Sequence, residues 1–337
     1  MRILVIGPSL FLPWVDYTTA ALRRMGHTVE VRHCTNILLD RLTLRKGKEW
    51  TAGVPGLPGA LEKLRAGWHE RRDRALLKTA AEFKPELVLL MHGESLSAAF
   101  LQALKKQVRC PVVAWWVDNP FRHPIRELFP PYDSTFIFDR SYIPALKEAG
   151  APRVEFLPCC ADETVYRPVE LTPGQRRRYA SDIAMVAWRY DRRVEVARAL
   201  DGLDLKIWGV GWKRDSLRAE ERFVPDEEAA LIYGACKIGL NVHAEQTKVA
   251  GPNTRSFELL AAGAFQLTDR VEGMEELLEP GKEVAVYGSP QEAREMAEHY
   301  LARPEERAAM AARGRERVLR EHTYAHRMKT LMEKSPK

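Results

Sequence analysis

The chain contains no uninterrupted apolar run near the roughly 18 residues that a bilayer-spanning helix requires, so no membrane span is expected. Its opening, MRILVIGPSL, has one Arg and a short apolar stretch with no small-residue cleavage site after it, and reads better as a first buried strand than as a leader. The five cysteines (Cys34, Cys110, Cys159, Cys160, Cys236) are odd in number and form no C-x-x-C pair. That argues against a disulfide frame or a zinc site and fits reduced thiols of a cytoplasmic protein. Chemical signatures are missing too: no G-x-G-x-x-G follows the first strand, and there is no G-x-x-x-x-G-K-[ST], G-x-S-x-G, H-E-x-x-H or D-x-D. A standard dinucleotide site, a P-loop ATPase and a serine hydrolase are thereby set aside, and neither a bound metal nor a cofactor is expected. Charge of one sign is also scarce, with 52 Lys and Arg against 46 Asp and Glu, a net +6. This balance suits a phosphate-bearing ligand but does not imply nucleic acid. The basic clusters at 65–74 and 176–178 read as solvated helix or linker surface.

What is present is an ordinary globular composition, 45% hydrophobic and 29% charged over 337 residues, comfortable for two domains. Short apolar runs alternate with helical patterns. The spacing predicts strands at 2–6, 28–32, 87–91, 111–117, 134–138 and 153–156, with helices at 16–25, 60–83 and 95–106. The run 166–180 carries two prolines, a Gly and a basic run without an apolar face, which marks a linker. A second α/β series follows, with strands at 183–186, 205–208, 237–241, 264–268 and 283–286. Its helices are expected at 192–200, 226–235, 274–278, 291–301 and 304–321, with a helical tail at 324–332. The domains are accordingly set at 1–168 and 181–321, with a linker at 169–180 and a tail at 322–337. The fold class is α/β, two doubly wound Rossmann-like domains.

Ligands of open α/β sheets bind outside the carboxyl ends of the strands. In the first half those ends carry Ser9, His92 and Glu94, Asp118 and Asn119, and Asp139. Asp118, Glu94 and His92, with Asp16 after them, are the candidate general bases; as alternatives, such residues cap the next helix, the preferred reading for Asp139. In the second half Arg189 follows the first strand and Gly209-Val210-Gly211-Trp212 the second. Arg192 and Arg193 read as plain helix surface. Two glycines would let backbone approach a flat ring on which Trp212 stacks, with Pro225 nearby. His243 follows the third strand, as a ligand group or as a capping or core histidine.

The stretch Gly251–Asp269 (GPNTRSFELLAAGAFQLTD) organises this half. Pro252 is placed at the first helical position, Gly263 as the stop, and a buried strand runs to Asp269. A Gly-bearing loop entering a helix offers free N–H groups and the positive end of its dipole to phosphate, so Gly251, Asn253, Thr254 and Arg255 form an anion site. Glu258, one turn on, is positioned to accept bonds from sugar hydroxyls.

These residues resemble the CgeB-like (spore-maturation) glycosyltransferase-like family. The resemblance lies in Asn253–Asp269, Lys237–Asn241 (KIGLN), Ile207–Trp212 (IWGVGW), Glu283–Tyr287 (EVAVY) and Gly314–Thr323 (GRERVLREHT), and in the first half in Lys84–Gly93, Val112–Pro120 and Val154–Cys159. It implies the GT-B architecture, two Rossmann-like domains facing a central cleft, with a nucleotide-sugar donor in the second, an acceptor against the first and a C-terminal helix crossing back. It also implies that Arg189 binds phosphate and that Glu258 is the second Glu of an E-x7-E motif, contacting the ribose. The first Glu of that motif is replaced by Ala250, with Lys248 or Glu245 to take over part of its role. Metal-independent glycosyl transfer to an unidentified acceptor is the activity implied. A sugar-nucleotide epimerase and a non-catalytic binding or assembly protein are the alternatives.

Overall fold

The computed structural model describes residues 1–9, 13–35, 56–122, 125–244 and 250–336. The chain divides into two compact units. One comprises Met1–Phe138, Tyr142–Leu157 and Met328–Lys337, the other Asp139–Ser141 and Pro158–Arg327.

The first unit is built on a six-stranded parallel sheet: β1 (Arg2–Gly7), β2 (Thr28–His33), β3 (Leu87–Met91), β4 (Val112–Trp116), β5 (Ser134–Ile137) and β6 (Val154–Phe156). Their order is β2-β1-β3-β4-β5-β6, so the direction of winding reverses between β1 and β3. Strands β3 and β4 (LVLLM and VVAWW) are buried at every position, as parallel strands covered on both faces must be. Helices α1 (Trp14–Arg24), α2 (Leu57–Phe83), α3 (Ala98–Gln107) and α4 (Ile143–Glu148) connect them. Helix α3 starts where Ser97 accepts the Phe100 amide, a cap that stops the helix from reaching back to residue 95 as its apolar pattern had suggested.

The second unit opens with a helix the sequence did not announce, α5 (Pro173–Tyr179), in the run read as a linker. Thr172 and Gln175 form a reciprocal capping box there, and the buried Tyr179 bonds Glu228 at 2.6 Å. Its sheet comprises β7 (Ser181–Val186), β8 (Leu205–Gly209), β9 (Ala219–Glu221), β10 (Cys236–Asn241), β11 (Gln266–Asp269) and β12 (Ala285–Tyr287). The order is β12-β11-β10-β7-β8-β9, all parallel, with the reversal between β7 and β10. The short edge strand β9 was not foreseen, since AEE carries no apolar signal. Around the sheet lie α6 (Asp191–Ala199), α7 (Asp226–Ala235), α8 (Thr254–Ala261), α9 (Pro290–Leu301) and α10 (Pro304–Glu321). The helix expected at 274–278 is a single 3-10 turn, Met274–Glu276. Helix α11 (Tyr324–Lys334) begins in this unit, where buried Arg327 donates to Pro158 O and Cys159 O. Its residues from Met328 onward belong to the first unit, where Lys334 meets Glu155 at 3.0 Å. Among the described residues no helix is long and apolar enough to cross a membrane.

Helix α8 is held against α10 by a close approach that only glycine permits. A Cβ on Gly314 would lie 2.5 Å from Glu283 O and 2.7 Å from Leu260 Cδ2. Gly314→Ala is expected to destabilise the second unit by about 1–3 kcal/mol through overpacking, and its melting temperature should fall by roughly 3–10 °C. An unchanged melting curve would show that the two helices can separate without cost.

Candidate functional site

At the carboxyl edge of the second sheet four polar side chains lock the start of α8. Asn241, the last residue of β10, donates from Nδ2 to Asn253 Oδ1 (3.1 Å) and to Ser256 Oγ (3.0 Å), and Asn253 Nδ2 donates back to Asn241 Oδ1 at 3.1 Å. His243 gives its backbone N–H and ring Nδ1 to Asp269 Oδ1, at 3.0 and 2.8 Å. That fixes the neutral tautomer and leaves Nε2 to accept the Asn253 amide at 3.1 Å. Burial pushes the Asp269 carboxyl up, but the His243 bonds outweigh it and hold it below the usual carboxylate range. His243 is therefore a buried support of the loop, the core reading of the two the sequence allowed.

Asn253 is the cap of α8, taking the Ser256 amide on Oδ1 at 3.0 Å. Pro252 thus precedes the cap and is not the first helical residue, because the Asn side chain claims that amide first. Gly263 follows the last turn with φ +79°, as a stop should. The amides of Thr254 and Arg255 fall in the first turn, where no intrahelical acceptor exists. The Arg255 side chain turns away to Tyr233 Oη at 3.2 Å. Half-buried Glu258 has its carboxyl pushed up to about 8 by desolvation and by Asp226, against the pull of Arg255 and a bond from Tyr166. Ala250, where a Glu was absent, is fixed by its backbone: its N–H goes to Asp139 Oδ1 at 3.0 Å and its carbonyl takes the Arg140 amide at 3.3 Å. The same Asp139 oxygen also takes the Ser141 amide at 2.8 Å, the capping role expected of it. Lys248 and Glu245 lie outside the described residues.

The neighbouring loops correct several expectations. Arg189 does sit after β7, but Asp215 grips it twice (3.0 and 3.2 Å) and Asp191 takes its remaining nitrogen, so its charge is already offset. Trp212 is 1% exposed and donates Nε1–H to Ala187 O at 2.8 Å; a core residue cannot stack on a ligand. A Cβ on Gly209 would meet Ala187 O at 1.8 Å, and Gly211 has φ +97°, so this turn needs both glycines. The curl aims the amides of Gly211, Trp212 and Lys213 at one point, which the carboxylate of Glu221 fills at 2.6, 2.7 and 3.1 Å. Those bonds, Gly211's foremost, lower the Glu221 pKa. The glycine loop thus holds an internal anion. Arg193, read as helix surface, is 6% exposed and donates to Val242 O (2.9 Å) and Trp188 O (2.7 Å).

In the first unit the candidate bases converge. His92, Glu94 and Asp118 line one small cavity of about 50 Å³ together with Arg122, Trp116 and Asn119. Buried His92 is stacked on Trp14 (centroids 5.0 Å apart) and stands edge-on to Trp116 (5.5 Å). Its φ of +56° is unusual for a side-chain-bearing residue and costs backbone energy. Burial lowers its pKa and keeps the imidazole neutral, although Glu94 and Asp118 pull the other way. Glu94 Oε1 lies 3.6 Å from Nδ1, while Nε2 has no hydrogen-bond partner among the described residues. Asp118 is committed to Arg122 at 2.7 Å, and it takes the Asn119 amide at 2.7 Å. Asp16 is exposed in the first turn of α1 and does not join them. Glu94 also borders an open groove of about 600 Å³ along α2, lined by Glu62, Arg65, His69 and Asp73. Among the described residues, no group of three His, Cys, Asp or Glu side chains gathers to hold a metal ion.

Sequence reasoning missed Asp215 and Glu221 as parts of this edge; it set Asn241 and Asp269 at strand ends without partners and read Arg193 as helix surface. The available signal was position, since Asn241 and Asp269 each end a strand. Glu258 supplies a pH test. Its folded pKa near 8 exceeds the unfolded value of about 4.3, so its contribution is complete at low pH and is lost as pH rises through 8. Thermal melts of wild type and Glu258→Gln should therefore show the wild type losing ground between pH 5 and 9; parallel curves would mean that the carboxyl is not desolvated.

With this geometry in view, the chain was compared with known proteins. The sequence model of the family described as glycosyl transferase-like matches residues 189–333. Spore protein CgeB of Bacillus subtilis (strain 168) is 24% identical over 260 residues, 71% of this chain and 78% of that protein. Among solved structures, sucrose-phosphate synthase from Thermosynechococcus elongatus superposes with a TM-score of 0.65 at 15% identity, covering 99% of this chain and 98% of that one. HepE from Anabaena, in complex with UDP and glucose, gives 0.65 at 13% identity with the same coverage. A glycosyltransferase from Rickettsia africae gives 0.64 at 12%, covering 98% and 97%. At such identities the structural likeness speaks for the fold, which is the two-domain α/β GT-B fold. Residues 189–333 thus match a glycosyl transferase-like family, and the chain is similar to spore protein CgeB over 71% of its length.

Proposed function

We infer that this protein transfers a glycosyl group from a nucleoside-diphosphate sugar to an acceptor hydroxyl. The observation that carries the reading is the Asn241–Asn253–His243–Asp269 lock, which presents the first amides of α8 at the carboxyl edge of a parallel sheet, inside the family-matched residues. Support also comes from HepE, whose structure holds UDP and glucose on the same fold. In the step proposed, the acceptor oxygen forms a bond to the sugar's anomeric carbon while the bond from that carbon to the diphosphate breaks. The electron pair leaves with the diphosphate, and the acceptor proton passes to a base. Fixed donors at the helix start stabilise the charge growing on the leaving group, and guanidinium groups take the electrostatic role a divalent ion plays in other transferases.

For an inverting reaction the base is His92. It is neutral, Glu94 stands beside its Nδ1, and its Nε2 has no protein partner among the described residues, whereas Asp118 is held by Arg122. This reverses the order in which the sequence ranked the three. The groove along α2 gives an acceptor room. The five cysteines form no disulfide, which fits a cytoplasmic setting. A non-catalytic nucleotide-sugar binder is the second reading, favoured by Ala250, whose methyl cannot do the work of a carboxylate. An epimerase would release an altered sugar nucleotide without any acceptor.

Calorimetry with UDP, GDP, ADP and dTDP should find one that binds. Donor turnover should rise with an acceptor, and His92→Gln should lower it by about 10²–10⁴-fold without changing diphosphate affinity. Binding of none of the four would end the transferase reading. Binding without turnover on any acceptor would favour the second.

A further inference from the structure

The geometry points to Arg193, in place of Arg189, as the guanidinium that receives the donor's diphosphate; this rests on the transferase reading above. The two arginines stand on the same loop-to-helix segment after β7, yet their surroundings are opposite. All three terminal nitrogens of Arg189 are engaged by carboxylates, two by Asp215 and one by Asp191. A phosphate arriving there must either displace Asp215, itself 8% exposed, or approach a cluster of one guanidinium and two carboxylates whose net charge is already negative.

Arg193 meets only neutral partners. Nε is on Val242 O and Nη1 on Trp188 O, its face lies 4.9 Å from the Tyr190 ring, and no carboxylate comes within ion-pair distance among the described residues. Asp269 acts on it through space alone, its near oxygen being spent on His243. Burial and the Arg255 charge lower the Arg193 pKa to about 10, so the group remains a cation at neutral pH. An ionised side chain that is 6% exposed and has no carboxylate at ion-pair distance among the described residues is costly, and an anionic ligand lowers that cost. Nη2 makes no bond among the described residues, and it is not among the fully buried orphan atoms. One N–H pair is thus left for a ligand oxygen.

Its position strengthens the assignment. Trp188 follows β7 and Val242 follows β10, the two strands between which the winding reverses. Arg193 therefore bridges the topological switch point, the place where doubly wound sheets take their ligands. Val242 also adjoins His243, which holds the Asn253 amide at the start of α8. The guanidinium and the first-turn amides are thereby tied to the same short segment.

The test compares UDP with UMP, or the corresponding pair for whichever nucleotide binds, because loss of a diphosphate contact erases the preference for the longer ligand. Arg193→Lys should lower the UDP-over-UMP affinity ratio by at least tenfold, while Arg189→Gln should leave it within about twofold. The reverse pattern would overturn the assignment and leave the transferase reading standing, whereas a wild type that binds no nucleoside diphosphate removes both. Should Arg193→Lys not fold, a crystal structure of the wild type with UDP decides. A phosphate oxygen within about 3.2 Å of Arg193 Nη2 supports the proposal, and phosphate on Arg189 with Nη2 unbound overturns it.

Discussion

The second unit depends on one hydrogen-bond relay. Asp269, at the end of β11, sets the tautomer of His243; His243 then receives the Asn253 amide, and Asn253 pairs with Asn241 at the end of β10. Each member is held by a neighbour, and Asn253 caps α8. Side chains at the ends of two adjacent strands therefore set the height and direction of a helix start. Because these groups are buried, every bond left unmade would cost the desolvation of its partner. Such a network rigidifies what it holds, and what it holds is the N-terminal end of the helix.

The first unit places its chemistry differently. There the signal is strain and isolation: a buried histidine at positive φ, set between two tryptophans, with an unbonded nitrogen. Nothing in the packing of a parallel sheet calls for that arrangement, and the small cavity beside it gives it an outlet. The two units share an architecture, a six-stranded parallel sheet covered by helices.

Much of the fold was legible because parallel strands buried on both faces advertise themselves as apolar runs. LVLLM at 87–91 and the helices at 226–235 and 304–321 fall where the pattern put them. What stayed hidden depends on polar satisfaction between residues far apart in sequence. AEE at 219–221 became a strand because a carboxylate on it met three amides from a loop, and 173–179 became a helix because Thr172 and Gln175 cap each other. The site was legible as a set of strand ends and illegible as a set of partners. Sequence spacing brought Arg189 and Trp212 forward as equals of Asn253, and only the neighbours (Asp215 for one, the core for the other) separate them.

The carboxylate of Glu221 inside the glycine curl carries a consequence for the edge of that sheet. Strand β9 is three residues long and pairs with β8 alone. The loop amides that hold Glu221 lower its pKa, a hold present above the ordinary glutamate range and surrendered as pH falls through the lowered value. Acidification will therefore loosen this margin, uncovering three convergent N–H groups.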